Sequence, residues 1–278
     1  MLPTRVRGNM KKCVKRDIFY REWKCQDPEF VLLLVHGLGG HSNNWEYMAE
    51  FFRKNNITSY GIELKGFGAT ETLKGHVDSL DTYLKDVRRL HYIIKKKHKG
   101  KKIFIAGESM GGLIAFMIAI KKPKLFSGTV CISPGFASLL QFSISEYVKM
   151  SLAWLYNPKK QFTMPFNSEM CTRDLDCRKQ MDADPLEHRL ATPNLLLNIL
   201  LGQAYSKALK HKVKTSTLFL LAENDTFVCP KAGRKVFEGM KAKDKTLIQY
   251  PEMSHSLASE LGREKVFSDT LGWLKKRI

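Results

Sequence analysis

Four apolar residues of strand length, Ile103-Phe104-Ile105-Ala106, run straight into Gly107-Glu108-Ser109-Met110-Gly111-Gly112, and those into a second apolar run over 113–120. No other stretch of this chain admits so few shapes. A serine inside G-x-S-x-G, flanked by strand and helix, sits on a sharp strand-to-helix turn with a strained backbone. Side chains two residues to either side would collide, so positions 107 and 111 must be small, and the turn lifts the Ser109 hydroxyl clear of its neighbours. The Met110 N–H then lies at a helix N-terminus, aimed at developing negative charge. The same letters could mark only a glycine-rich turn capped by a serine. The flanking strand and helix, and the partners downstream, make a nucleophile the better reading. Phosphate-loop chemistry is not supported, because the stretch lacks the lysine and spacing of a P-loop.

A nucleophilic serine needs a base, and the base an orienting acid. Where the serine sits on such a turn, the chain order is serine, acid, histidine. Downstream, an apolar strand at 217–221 leads into Ala222-Glu223-Asn224-Asp225, and a strand at 245–250 leads into Pro251-Glu252-Met253-Ser254-His255. Asp225 and His255 thus emerge at the C-terminal edge of the strands, where open α/β sheets bind ligands. Glu223 is the alternative acid. His188 and His211 are alternative bases, but neither follows a strand, and both read as surface or cap residues. A second oxyanion donor is expected from the loop His36-Gly37-Leu38-Gly39-Gly40, with the Leu38 N–H pairing with the Met110 N–H. His36 itself reads as a structural histidine holding that loop. This chemistry calls for no metal and no cofactor.

Around these motifs, short β-rich runs alternate with helical ones. Strands are expected at 17–23, 30–35, 57–62, 102–106 and 127–132 besides the two above; helices at 43–54, 79–97 (with Asp78 able to cap it), 109–121, 230–240 and 263–276. Such βαβα alternation predicts an α/β fold with a mostly parallel sheet flanked by helices. The rhythm breaks from Pro134 to about Ser206. Ile144, Tyr147, Val148, Leu152 and Leu155 recur there as an apolar helical stripe, and Thr192-Pro193 reads as an N-cap with proline at the first helical position. The chain therefore divides into a discontinuous core, 1–133 and 207–278, and a helical cap, 134–206, inserted before the last strands.

Charge bears on partners. Lys+Arg number 46 against 27 Asp+Glu, a net charge of +19, which favours anionic surfaces and ligands. Nucleic acid is not expected, since no RRM, KH or helix-turn-helix signature accompanies the charge. No apolar run approaches the roughly 18 residues of a membrane span. The N-terminal MLPTRVRGNMKKCVKR has no apolar core of a secretory signal. A cytoplasmic protein with reduced thiols is expected, in peripheral contact with anionic membranes at most; a Cys171–Cys177 bridge is the less favoured alternative. Oligomeric state is not legible.

VHGLGG, GESMGG, AEND and PEMSHS, in this order, resemble the α/β-hydrolase superfamily, and the segments between them resemble its monoacylglycerol lipase and lysophospholipase branch, grouped with serine aminopeptidase-type hydrolases. The resemblance runs from about Arg16 to the C-terminus. It implies Ser109 as nucleophile, Asp225 as acid, His255 as base, and Leu38 and Met110 as oxyanion donors. Two positions depart from the family pattern: Glu108 stands where the family often has histidine, and Gly66-Phe67-Gly68-Ala69-Thr70 where it often has G-H-G-x-S. The large apolar residues of the cap, Phe136, Leu139, Leu140, Phe142, Tyr147, Trp154, Tyr156 and Phe162, could line an acyl tunnel or form only the cap's own core. The expected function is hydrolysis of a carboxylic ester through an acyl-enzyme, with a small-molecule lipid ester as substrate: a monoacylglycerol or lysophospholipid. A short- or medium-chain carboxylesterase and an acyltransferase on the same fold are the alternatives. A peptidase should need an acidic group to grip a free amine. An epoxide hydrolase or dehalogenase is disfavoured because it needs a carboxylate at position 109.

Overall fold

Strands β3 (Val31–Val35) and β5 (Ile103–Glu108) pair in parallel at the centre of the sheet. Every residue of β3 is buried. Val31, Leu33 and Val35 face one side while Leu32 and Leu34 face the other. A run apolar on both faces can only be a strand covered by helices on both sides. The computed structural model describes residues 8–13 and 17–278; most of the N-terminal reading made above falls on residues 1–7 and 14–16 and lies outside them.

Around this pair, β1 (Asn9–Cys13), β2 (Ile18–Trp23), β4 (Thr58–Glu63), β6 (Thr129–Ile132), β9 (Thr217–Ala222) and β10 (Lys245–Tyr250) complete an eight-stranded sheet. The strand order is β1-β2-β4-β3-β5-β6-β9-β10. The β1–β2 and β2–β4 pairs are antiparallel, and the remaining pairs parallel. Strand β1 was not foreseen: NMKKC carries no apolar alternation, and its burial pattern is mostly exposed, as suits a lysine-bearing edge strand.

Helices α2 (Leu80–Lys97), α3 (Met110–Lys121) and α8 (Pro230–Glu238) cover one face of the sheet; α1 (Glu46–Lys54) and α9 (Arg263–Lys275) cover the other. Helix α3 is buried from Met110 to Ile120, which explains why it is apolar all round. The cap of α2 is Ser79, whose side chain accepts the Asp81 N–H, and not Asp78. Asp78 instead pairs with His76.

Between β6 and β9 lie α4 (Ile144–Tyr156), α5 (Ser168–Cys171), α6 (Leu175–Ala183), α7 (Pro193–Leu209) and a two-stranded ribbon of β7 (Phe162–Thr163) and β8 (Leu190–Ala191). Thr192 caps α7 with Pro193 inside its first turn, and the helix continues through residue 206. The Ser143/Glu146 capping box starts α4. Its stripe, however, does not pack inward as a whole. Ile144 is 83% and Leu155 72% exposed, while Met150 and Ala153 are the buried positions.

The segment after α5 is tied to the core by polar contacts. The Glu260 carboxylate, fully buried, accepts the backbone N–H groups of Arg173, Ser254 and Leu261. Thr172 Oγ1 donates to the Ser259 carbonyl, and Arg263 pairs with Asp174. Among the described residues no helix is long and apolar enough to cross a membrane. All six cysteines are free thiols, Cys171 and Cys177 included.

Candidate active site

The parallel run from β3 to β10 brings the C-terminal ends of β3, β5, β9 and β10 to one sheet edge. The residues singled out above lie in the loops at those four ends. Ser109, between β5 and α3, has φ +56° and ψ −119°, a left-handed backbone for a non-glycine residue, the kind of strain that persists only when its surroundings enforce it. Its N–H donates to the Ile132 carbonyl at 2.9 Å, and its own carbonyl accepts the N–H groups of Leu113 and Gly135 at 3.1 and 2.9 Å. The flanking glycines are sterically required. A Cβ on Gly107 would lie 2.2 Å from the Gly111 carbonyl oxygen, and one on Gly111 2.0 Å from the Val35 carbonyl oxygen. Although Ser109 holds the N-cap position of α3, its side chain makes no capping hydrogen bond.

Asp225 is buried, and both its oxygens are engaged. Oδ1 accepts the N–H groups of Phe227 and Val228 at 2.8 and 2.9 Å; Oδ2 lies 2.7 Å from His255 Nδ1. The carboxylate therefore accepts a hydrogen bond from Nδ1–H and leaves Nε2 as the ring nitrogen able to take a proton. Phe227 stacks on the imidazole with centroids 4.6 Å apart. Burial pulls the His255 pKa down, but the charges of Asp225 and then Glu108 outweigh it, and the pKa is raised above the ordinary imidazole value.

Leu38 and Met110 line the same cavity as Ser109 and His255. The loop carrying Leu38 abuts the serine: a Cβ on Gly37 would lie 3.1 Å from Ser109 Cβ. His36 anchors this loop, Nδ1 donating to the Gly37 carbonyl (2.8 Å) and Nε2 accepting the Leu64 N–H (3.0 Å). Accepting the Leu64 N–H at Nε2 requires the neutral ring, and burial holds its pKa well below the usual value.

The competing residues sit elsewhere. Glu223 is held by Arg234 through two 2.7 Å contacts and by Gln249. The His188 N–H donates to the Gly39 carbonyl, tying the segment before β8 to the loop after β3. His211 lies in an exposed 3-10 turn, Lys210–Lys212.

The cavity measures about 490 Å³, within the range of small-molecule sites. Of the eight large apolar residues in question, Leu140, Phe142, Tyr147 and Trp154 line it. Phe136 is instead core, stacked on Phe219 and edge-on to Phe116, Leu139 and Tyr156 are exposed, and Phe162 is half-buried in β7. Two carboxyls that sequence reading did not place also line the cavity, Glu108 and Glu187. Burial pushes both up to about 7. Glu187 carries no sequence signal, since its position follows only from how the segment after α6 folds back to meet Asn44.

The sheet order, the covering helices and the turn at Ser109 are those of an α/β-hydrolase. More narrowly, the chain belongs to the serine aminopeptidase S33 family, whose model matches residues 26–262. It is similar to an uncharacterised abhydrolase domain-containing protein of Dictyostelium discoideum, 25% identical over 98% of this chain. The chain spans 29% of that relative's length. It is also similar to the monoglyceride lipase of Homo sapiens, 28% identical over 94% of this chain and 87% of the relative. Among solved structures, a soluble variant of monoglyceride lipase from Saccharomyces cerevisiae, in complex with a substrate analog, superposes with a TM-score of 0.85, 20% identity and coverage of 99% of this chain and 97% of that one.

Proposed function

We propose that this chain is a carboxylic ester hydrolase acting on single-chain lipid esters, a monoacylglycerol or a lysophospholipid. The observation that carries this reading is the buried His255–Asp225 pair, set at the same apolar cavity as a strained serine whose hydroxyl the helix does not use. In this reading His255 Nε2 takes the Ser109 proton, and Ser109 Oγ attacks the acyl carbonyl. The Leu38 and Met110 N–H groups receive the oxyanion. The imidazolium, steadied by Asp225, gives its proton to the leaving alcohol. Water activated by His255 then releases the acid from Ser109 and restores the enzyme. The core–cap division at 134–206 belongs to the same proposal, with α4 and α7 supplying the acyl wall through Trp154 and Leu196.

The exposed apolar side of α4, Ile144, Val148, Leu152 and Leu155, together with the net positive charge, supports contact with an anionic lipid surface. An aminopeptidase reading draws on the family's description and on the carboxyls of Glu108 and Glu187. The wall around them is largely apolar, through Leu140, Phe142, Trp154 and Leu196, which suits an acyl chain better than an ammonium group. Initial rates on esters of two to sixteen carbons, a monoacylglycerol, a lysophospholipid and an aminoacyl amide, with Ser109→Ala as blank, test the reading. A maximum at medium or long chains supports it. A maximum at two to four carbons reassigns the enzyme as a short-chain carboxylesterase, and turnover of the amide alone makes it a peptidase.

A further inference from the structure

We propose that Glu108 is a positioning residue for His255, a second carboxylate besides Asp225 that acts on the imidazole, and that it sets how the reaction depends on pH. The inference rests on the functional reading above. Glu108 is the last residue of β5 and pairs across the ladder with Ile132. Ile132 packs with Leu257 and Ala258 on the α9 side of the sheet, and strand partners share a face. The Glu108 side chain follows: Oε1 accepts the Ala258 N–H at 3.2 Å. Ala258 lies in the turn from Ser256 to Ser259, closed by the Ser259 N–H on the Ser256 carbonyl, which overlaps the tight turn that the Leu257 N–H closes on the His255 carbonyl. Glu108 therefore fastens the turn bearing the histidine to the strand bearing the serine.

Fastening alone does not need a charge. A glutamine would accept the Ala258 N–H equally well, and a buried carboxyl is costly unless its charge is used. Glu108 lines one cavity with His255, the Cys171 thiol, Glu187 and Arg189, and Asp225 adds its charge through His255; Arg189 is already paired with Asp182, and of the remaining groups only the imidazole can become a cation. Burial pushes the Glu108 carboxyl up to about 7, and the imidazole opposes that rise. The two groups thus exchange influence near neutrality, each ionisation favouring the other. When Glu108 is ionised, it stabilises the imidazolium that forms as Ser109 attacks. When it is protonated, Asp225 does so alone.

The test is kcat/KM and kcat against pH on a soluble short-chain ester, for the wild type, Glu108→Gln and Glu108→Asp, with thermal unfolding as the fold control. Glu108→Gln is expected to fold, to move the acid limb to lower pH and to lower kcat on the alkaline plateau by about three- to tenfold. Glu108→Asp, keeping the charge, keeps the acid limb of the wild type. A Glu108→Gln profile that superposes on the wild type overturns the inference. If Glu108→Gln does not fold, the wild type still decides: the NMR titration of the His255 ring, assigned with His255→Asn, is expected to show two inflections, and a single inflection contradicts the coupling. The failure of the underlying functional reading looks different, since Ser109→Ala would then retain activity.

Discussion

Ser109 is proposed as the nucleophile because three constraints meet at that one residue. Gly107 and Gly111 leave no room for a Cβ, the backbone is held at φ +56°, and the hydroxyl is free of capping duty. His255 and Asp225 complete the set through one 2.7 Å contact. Because Asp225 fixes the tautomer, Asp225→Asn should leave the fold intact yet lower kcat by about 10⁴-fold, measured on any turned-over ester beside a circular dichroism spectrum. The pH profile follows from the same contact. In the proposed mechanism His255 must be neutral to accept the serine proton, and its pKa is raised in the folded protein. Activity is therefore complete above that raised pKa and lost as pH falls through it. The acid limb of kcat/KM should lie above the ordinary imidazole value of 6.5, and a limb below it would contradict the ion pair.

At the scale of elements, the turn after β10 and the segment after α5 hold each other. Glu260 is the knot, a fully buried carboxylate with three backbone N–H groups converging on it. Glu260→Ala strands those donors and should cost about 3 kcal/mol, read as a loss in urea unfolding free energy. The strands and most helices were legible because burial on two faces writes continuous apolar runs, as at β3, and burial on one face writes a helical period, as at α2. The turn at Ser109 was legible because sterics allow so few residues there. What periodicity could not convey was direction. The stripe of α4 announced the helix but not that Ile144 and Leu155 face outward. Strand β1 was hidden because an edge strand need not alternate. Nor could the sequence place Glu108 against the Ala258 N–H, since 150 residues of chain separate the two.

For the whole molecule, an excess of positive charge and an apolar helix face lie on one small protein. Such a surface should meet anionic lipid in two ways, by long-range attraction that salt screens and by apolar insertion that salt leaves alone. Ile144→Ser with Leu155→Ser should weaken sedimentation with anionic vesicles and lower hydrolysis of vesicle-borne substrate severalfold, while turnover of a soluble short-chain ester stays unchanged. Raising salt should weaken binding of both proteins, and equal binding of wild type and variant would remove α4 from the membrane reading.

The central claim is that Ser109 attacks with His255 as its base. The most direct measurement is covalent capture by a fluorophosphonate, an electrophile that reacts with activated serines, followed by peptide mass spectrometry. One adduct per chain on the peptide containing Ser109, absent in Ser109→Ala and strongly slowed in His255→Ala, is the predicted result. An adduct on another residue, or an undiminished rate in His255→Ala, would contradict it.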